Sequence, residues 1–288
     1  MIMDKLNSAR SSASQPLDLY ELQAPTPPAG RVDIHSTPFL IPTFTRHIFA
    51  DFDGTTVQTL DAHTRSLQGV FSEILNTPIP QALVEQIFKN PPSQGHGERS
   101  EGGVLLSLLD AVREHTGVAE QPLPTPQELV AMRNQFVRDN ILSFNVFTPS
   151  GITALLQGAV GAGISLSLCT NSSSGFVMPI LEHLGLHQHF MHILTSDSTS
   201  ELRPKPLPDM YLSCLKQAGQ APGHCLVLED SATGAIAALR ANLPVLLTPL
   251  PHLQENIIQK VSEIQRLEQL TDTATVLHSW SQVNFAKS

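Results

Sequence analysis

The second half of the chain alternates between strand-like and helix-like segments, and this alternation constrains the fold more than any other feature. From residue 149 onward, short apolar runs such as ISLSLCT, CLVLED and PVLLTP alternate with segments of helical spacing such as PDMYLSCLKQAG and TGAIAALRAN. Strands that alternate with helices form right-handed βαβ units and a parallel sheet covered on both faces. The sequence therefore predicts an α/β fold with a Rossmann-like, doubly wound parallel sheet.

A helical segment separates the first strand of this sheet from the others. The apolar run HIFA ends at the Asp53-Gly54 turn, as expected for a buried strand. Four later segments, LQGVFSEIL, QALVEQIF, GVLLSLLDAVREHTG and QELVAMRNQFVRDNIL, have helical periodicity. We therefore predict a core made of residues 46–58 and 149–250, with an α-helical cap domain inserted at residues 59–148.

The two ends of the chain carry weaker signals. Six of the 22 prolines fall within residues 1–45, among Ser, Ala and Gln, which predicts a flexible leader. Such a leader has either no specific role or a role in targeting, export or docking to a partner. Residues 251–288 are polar and helix-leaning, and we predict that they form a C-terminal helical extension of the core.

Charge and cysteine content exclude several classes of protein. The chain has 17 Lys and Arg against 26 Asp and Glu, a net charge of −9, and no basic cluster, so binding to nucleic acid or an anionic membrane is not expected. The three cysteines form no C-x-x-C pair, which suggests neither a disulfide framework nor a zinc site. No run of 18 apolar residues is present, and the N-terminus lacks the apolar core of a signal peptide. These features predict a cytoplasmic protein.

Polar side chains stand at the carboxyl ends of three predicted strands and in one loop between them, where ligands bind in a sheet of this type. Four carboxylates in one cluster would repel one another unless a hard cation lay among them, and Mg²⁺ prefers oxygen ligands. The sequence therefore predicts a Mg²⁺ site at this edge. The polar side chains predicted to lie at this edge, four carboxylates with one hydroxyl and one ammonium group, are those of Asp51, Asp53, Thr170, Lys205, Glu229 and Asp230.

This set of side chains suits phosphoryl transfer. Asp51 and Asp53 are separated by one residue, so on an extended chain they point the same way, and one can attack phosphorus while the other handles protons. The ammonium group of Lys205 and the hydroxyl of Thr170 suit a phosphoryl oxygen. The predicted reaction passes through an aspartyl-phosphate, and the predicted partner is a small phosphorylated metabolite.

Four motifs resemble those of a known family. DFDGT, LCTNSS, RPKPLPDMYL and CLVLEDSATGAIAALRA occur in this order, and together they resemble the haloacid dehalogenase superfamily, subfamily I. The branch concerned includes phosphoglycolate phosphatase and beta-phosphoglucomutase, and the resemblance covers residues 46–250. It implies that Asp51 is the nucleophile and that Asp53 is the general acid, which later activates water.

The resemblance also implies roles for other residues. Thr170, Asn171 and Lys205 would hold the phosphate. His63 and Arg99 would lie on the cap, within reach of substrate. The implied Mg²⁺ ligands are the Asp51 carboxylate, the backbone carbonyl of Asp53, the Asp230 carboxylate and, through water, Glu229.

One departure and two alternatives accompany this assignment. Gln58 replaces an Asp that is common in these relatives, at the point where the chain enters the cap, and this bears on cap closure. We expect a Mg²⁺-dependent phosphatase, with its substrate and oligomeric state left open. The first alternative is a phosphosugar mutase of the beta-phosphoglucomutase type. The second is an interaction or effector protein that uses the same fold, with the leader as its docking or export segment.

Overall fold

The structure is a computed structural model, and it describes residues 31–35, 37–91, 100–119 and 122–285. Within these residues, seven parallel strands form one sheet in the order β1-β8-β7-β6-β3-β4-β5, and β2 pairs with β9 beside it. The strands are β1 Val32–Ile34, β2 Phe39–Ile41, β3 His47–Ala50, β4 Ser165–Cys169, β5 His192–Leu194, β6 Cys225–Glu229, β7 Val245–Leu247, β8 Ala274–Val276 and β9 Val283–Phe285.

Strand β3 lies inside the sheet, and it positions the predicted catalytic aspartates. All four of its residues are buried, as expected for an apolar strand covered on both faces. Ala50, the last residue of β3, pairs with Leu168 on β4 and with Leu228 on β6. The residues that follow these three strands therefore meet at one edge of the sheet.

Helices cover the sheet and form the insertion. They are α1 Leu60–Ile74, α2 Gln81–Lys89, α3 Glu101–Thr116, α4 Pro126–Asn140, α5 Ile152–Gly161, α6 Ser174–His183, α7 Asp209–Ala218, α8 Ala232–Arg240 and α9 Gln254–Glu268. Helices α1 to α4 lie between β3 and α5 in the chain and form the cap. They share a hydrophobic core of their own, which includes Leu67, Phe71, Leu109 and Leu129.

Local sequence signals define the starts of two cap helices. Helix α4 begins with a capping box, in which the Thr125 side chain accepts from the Glu128 amide and the Glu128 carboxylate accepts from the Thr125 amide. Pro126 follows at the first helical position, where its missing N–H costs no hydrogen bond. Helix α3 is capped by the Ser100 hydroxyl, which accepts from the Gly103 amide. These caps fix where the cap helices begin.

The predicted fold class is confirmed: the core is a parallel α/β sheet with a helical insertion after its first motif-bearing strand. The prediction for the leader is wrong for its last part. Residues 32–34 pair with 274–276, and residues 39–41 pair with 283–285. The predicted helical extension at 251–288 is also incomplete, because β8 and β9 follow α9. A three-residue strand whose parallel partner lies more than 200 residues away in the chain leaves no local signal in the sequence.

Two further observations concern cysteines and membrane spans. Cys169 on β4 and Cys214 on α7 are joined by a disulfide, and the remaining cysteine, Cys225, is a buried thiol. The sequence suggests no disulfide, because only the packing of α7 against the sheet brings together two residues 45 positions apart. In the part of the chain that the structure describes, every helix is too short or too polar to cross a membrane.

Candidate active site

Residues 51–57 form a tight turn directly after β3. The Gly54 amide donates to the Val57 carbonyl over 2.8 Å. Gly54 has a φ of +81°, in the left-handed region that glycine adopts without strain. A Cβ atom at Gly54 would lie 2.1 Å from Oδ2 of Asp230, so a larger residue could not occupy this position. Glycine therefore allows both the turn and its close approach to the end of β6.

Lys205 lies buried at the centre of the strand ends. Its Nζ donates to Oδ1 of Asp51 over 2.6 Å, to Oε1 of Glu229 over 2.7 Å and to the carbonyl of Cys169 over 2.7 Å. These contacts use all three of its donors. Burial would lower the pKa of Lys205, but Asp51 and Glu229 outweigh burial and raise that pKa well above its ordinary value. Lys205 is therefore a fixed positive charge beside the predicted nucleophile.

Glu229 is fully buried at the end of β6 and is held on both oxygens. Its Oε1 accepts from Lys205 and from the Tyr211 hydroxyl over 2.7 Å, and its Oε2 accepts from the Ser231 hydroxyl over 3.2 Å. A Cβ at Gly234 would lie 1.8 Å from Oε1 of Glu229, so helix α8 can pack here only through a glycine. These contacts give Glu229 and Lys205 a single arrangement.

Three carboxylates converge beside Lys205. One oxygen each from Asp51, Glu229 and Asp230 lies within 4.8 Å of the others. Burial and the charge of Glu229 raise the pKa of Asp51 well above its ordinary value, against the opposing effect of Lys205. Burial, followed by Glu229, raises the pKa of Asp230 to about 7. If all three carboxylates were ionised, their negative charge would exceed what one lysine balances, and the raised pKa values of Asp51 and Asp230 reflect this excess.

This excess of buried carboxylate is the observation that tests the predicted Mg²⁺ site. A divalent cation would supply the missing positive charge, and carboxylate oxygens are the donors that Mg²⁺ prefers. Asp51, Glu229 and Asp230 lie close enough to share one ion. The side chains present therefore fit a hard divalent cation, and the ligand set, including the Asp53 carbonyl, stays a prediction.

The Asp53 carboxylate accepts four hydrogen bonds. Its Oδ1 accepts from the Thr59 hydroxyl at 2.6 Å and lies 2.8 Å from Nε2 of His63. Its Oδ2 accepts from the hydroxyls of Ser172 at 2.7 Å and Thr170 at 3.4 Å. Burial alone would raise the pKa of Asp53, but His63, Thr59 and Ser172 outweigh it and lower the pKa to about 2. Asp53 is therefore held as a carboxylate between the cap and the core.

His63 joins the cap to this turn. Its ring stacks on Phe176 of the core, with ring centroids 4.2 Å apart, and on Phe88 of the cap, at 5.2 Å. The predicted role of His63 in contacting substrate stays a prediction, and the structure adds its contact with Asp53.

The entrance to the cap is held by Gln58, whose Nε2 donates to the Gly54 carbonyl over 3.0 Å. Its backbone amide donates to the carbonyl of Phe147, at the return from the cap.

The predicted phosphate-binding residues lie around the same edge. Thr170 follows β4, and its hydroxyl faces Asp53. Both polar side-chain atoms of Asn171 contact the backbone of Lys205: Oδ1 accepts from its amide over 2.9 Å, and Nδ2 donates to its carbonyl over 3.2 Å. Asn171 thus positions the Lys205 loop, and its role in phosphate binding stays a prediction. Arg99 lies outside the described residues.

Sequence reasoning assigns no role to three residues that the structure places at the site. Ser172 and Tyr211 lie inside quoted motifs, so an inspection of every polar residue in those motifs could have found them. Arg133 on α4 gives no such signal. It is buried, its Nη2 lies 2.5 Å from Oε1 of Glu101, and its guanidinium stacks on Phe176 at 4.3 Å. Only the fold of the cap brings Arg133 to the core.

The parallel sheet, the inserted helical cap and the acid cluster with its lysine together define a hydrolase of one large α/β class. Residues 45–242 match the haloacid dehalogenase-like hydrolase family, and the chain belongs to that family. The predicted resemblance is therefore confirmed.

Several individual proteins are similar to this chain. Phosphoglycolate phosphatase of Rhodospirillum rubrum is 26% identical over 212 residues, which cover 73% of this chain and 82% of that protein. Protein CbbY of Cupriavidus necator is 26% identical over 201 residues, 69% of this chain and 76% of that protein. The Bacillus subtilis protein YhcW matches at 35% identity, but over 99 residues, 34% of this chain and less than half (44%) of its own length.

A solved structure confirms the fold. CbbY from Rhodobacter sphaeroides, in complex with phosphate, superposes with a TM-score of 0.62 at 20% identity. The superposition covers 82% of this chain and 95% of that one.

Proposed function

We propose that this protein is a Mg²⁺-dependent phosphatase that hydrolyses a small organic phosphate monoester through an aspartyl-phosphate. The observation that carries the proposal is the contact of the buried Lys205 ammonium with both Asp51 and Glu229, beside Asp230. This contact keeps a carboxylate nucleophile next to a fixed cation and a fitting metal site. Two relatives support the choice of ester: one is named phosphoglycolate phosphatase, and one solved structure holds phosphate.

In the first step, the Asp51 carboxylate attacks phosphorus, the bond from phosphorus to the ester oxygen breaks, and the leaving oxygen takes a proton. Asp53 is the group two residues away that can deliver this proton. Because the pKa of Asp53 is about 2 in this arrangement, the proton must be supplied to it, and Nε2 of His63, 2.8 Å from Oδ1, is the group in contact. As Asp51 bonds to phosphorus, the Lys205 donor that contacts Asp51 would turn to a phosphoryl oxygen, and the Thr170 hydroxyl would exchange its contact with Asp53 for a second one.

In the second step, a water molecule attacks the aspartyl-phosphate, inorganic phosphate leaves, and Asp51 is restored. Asp53 is already ionised, so it can take the proton from this water. Bound Mg²⁺ would offset the negative charge of the carboxylates and of the phosphoryl group. Asp51 and Asp230 are the carboxylates that would hold it, with Glu229 beside them.

The test is phosphate release from a panel of phosphate esters, with Mg²⁺ and with EDTA. We expect Mg²⁺-dependent release by the native protein and loss of release in Asp51→Asn. Asp139→Asn is the matched control, because Asp139 is exposed on α4 and contacts only Gln135 among the hydrogen bonds described for it. Turnover by Asp51→Asn equal to that of the native protein would contradict the proposal. An isomerised sugar phosphate in place of inorganic phosphate would indicate a mutase.

A further inference from the structure

A cavity of about 760 Å³ opens beside Asp53, between the cap and the core. His63 and Ser172 line this cavity, and both contact the Asp53 carboxylate. The leaving oxygen of a substrate must lie near Asp53 to receive its proton. The alcohol part of the substrate would therefore extend into this cavity, and the cavity wall would select it.

The cap contributes an apolar wall to the cavity. Its side chains come from three helices: Phe88 on α2, Val104, Leu105 and Leu108 on α3, and Val130 on α4. From the core, Leu202 and Met210 add to it. An apolar wall of this kind binds apolar groups by removing their surface from water, and it offers nothing to a charged group.

The arginines that the described residues bring to the cavity are already paired with acids. Among the described lining residues the cations are Arg133 and Arg203. Arg133 pairs with Glu101 at 2.5 Å, and both oxygens of Asp209 bind Arg203, at 2.6 and 3.0 Å.

The acids that the described residues bring to the wall are Glu101 and Asp197, and Asp197 accepts hydrogen bonds from the hydroxyls of Thr195 and Ser174. A second anionic group on the substrate would thus lose its water and find each of these cations already bound to an acid.

We propose that the natural substrate is a monophosphate ester whose alcohol part is uncharged and mainly apolar, and not a bisphosphate or a phosphorylated acid. This inference rests on the proposed phosphatase function and adds the substrate class to it.

The test compares two esters that differ in one group. They are 2-(4-methylphenyl)ethyl phosphate and 2-(4-carboxyphenyl)ethyl phosphate, which have nearly the same shape and present either a methyl group or a carboxylate to the cavity. We expect kcat/KM to be at least about tenfold higher for the methyl compound, because the carboxylate would leave water without a free cation among the described residues of the wall. Equal values, or a preference for the carboxylate, would overturn the inference.

A pair of variants locates this selection in the cavity. Val104 lines the cavity and is 47% exposed, so a longer side chain fits there without disturbing the core of the cap. In Val104→Lys we expect the preference for the methyl compound to fall at least about fivefold, because the new ammonium can pair with the carboxylate. Val104→Met is the control of similar length, and it should keep the native preference. If Val104→Lys and Val104→Met have the same preference, selection does not occur at this wall.

The outcomes separate the two proposals. Mg²⁺-dependent release of phosphate from both esters, with the preference reversed, would overturn only the substrate class. Absence of release from these and all other phosphate esters would overturn the phosphatase function, and the substrate class with it.

Discussion

The Tyr211 hydroxyl donates a hydrogen bond to Oε1 of Glu229, and the two oxygen atoms are 2.7 Å apart. The same oxygen accepts from Lys205, whose ammonium group also lies 4.8 Å from the centroid of the Tyr211 ring. Tyr211 therefore supports the lysine in two ways, by fixing its partner and by covering it. This places a residue of helix α7 behind Lys205, which itself contacts Asp51, the proposed nucleophile.

We expect Tyr211→Phe to weaken this support while it keeps the ring. Loss of a buried hydrogen bond to a charged group should lower the free energy of unfolding by about 1–3 kcal/mol. It should also lower kcat more than it raises KM, because Lys205 would be held less firmly beside Asp51. Urea unfolding and steady-state kinetics measure the two effects. A variant with native kcat and native stability would show that the hydroxyl has no positioning role.

Replacement of His63 by Gln should change the acid limb of the pH profile. The charge and hydrogen bond of His63 help to lower the pKa of Asp53 to about 2, so their loss lets burial raise that pKa. Because the proposed second step needs ionised Asp53, kcat should then begin to fall at a higher pH than in the native protein. The measurement is kcat between pH 4 and 8, with His183→Gln, exposed on α6, as the control. An unchanged acid limb would contradict the role of His63 in lowering the pKa of Asp53.

Mg²⁺ should stabilise the folded protein, and Asp230→Asn should abolish most of this effect. An ion that binds only the folded state stabilises it by about 2.7 kcal/mol at a concentration 100 times its dissociation constant. In the absence of metal, Asp230→Asn should be at least as stable as the native protein, because one of three crowded carboxylates is gone. Thermal unfolding with Mg²⁺ and with EDTA measures both effects, and Asp139→Asn should behave as native. The same Mg²⁺ response in Asp230→Asn would place the ion elsewhere.

His47 should make the protein less stable in mild acid. Burial, followed by the nearby His192, lowers the pKa of His47 from 6.5 to about 4, and its Nε2 lies 2.8 Å from the Ser167 hydroxyl. Below pH 6.5 the unfolded chain takes up a proton at this residue that the folded protein does not, so stability falls as the pH falls towards 4. Between pH 7.5 and 5 this amounts to at most about 2 kcal/mol.

The measurement is the free energy of unfolding across this pH range for the native protein and for His47→Gln, which has no titrating group at this position. The variant should lose less stability on acidification than the native protein does. Identical pH dependence in both proteins would show that His47 does not contribute.

The edge of the sheet that carries the proposed catalytic residues could be predicted from sequence because its signals are local. Asp51 follows one apolar strand and Glu229 ends another, and parallel strands that pair in one sheet bring their carboxyl ends together. The turn at Gly54 also has a local sequence signal, since only glycine combines a positive φ with so close an approach of the backbone to Asp230.

Other features depend on residues that are distant in the chain. Strands β1 and β2 were not predictable, because each is three residues long and pairs with a strand more than 200 residues later. The contact of Arg133 with Phe176 and the Cys169–Cys214 disulfide likewise depend on how helices pack. Short segments and single side chains carry too little periodicity to reveal such partners.

The sequence by itself determined the fold class, the family and the edge of the sheet where the carboxylates meet, because strand alternation and motif order are properties of neighbouring residues. Only the tertiary structure decided how these groups are paired. Glu229 binds Lys205 and Tyr211, Asp53 binds His63, and the cap presents a mainly apolar wall to the site. The physical reason is that hydrogen bonds and the charge balance of a cavity depend on distances of a few ångströms between elements far apart in the chain.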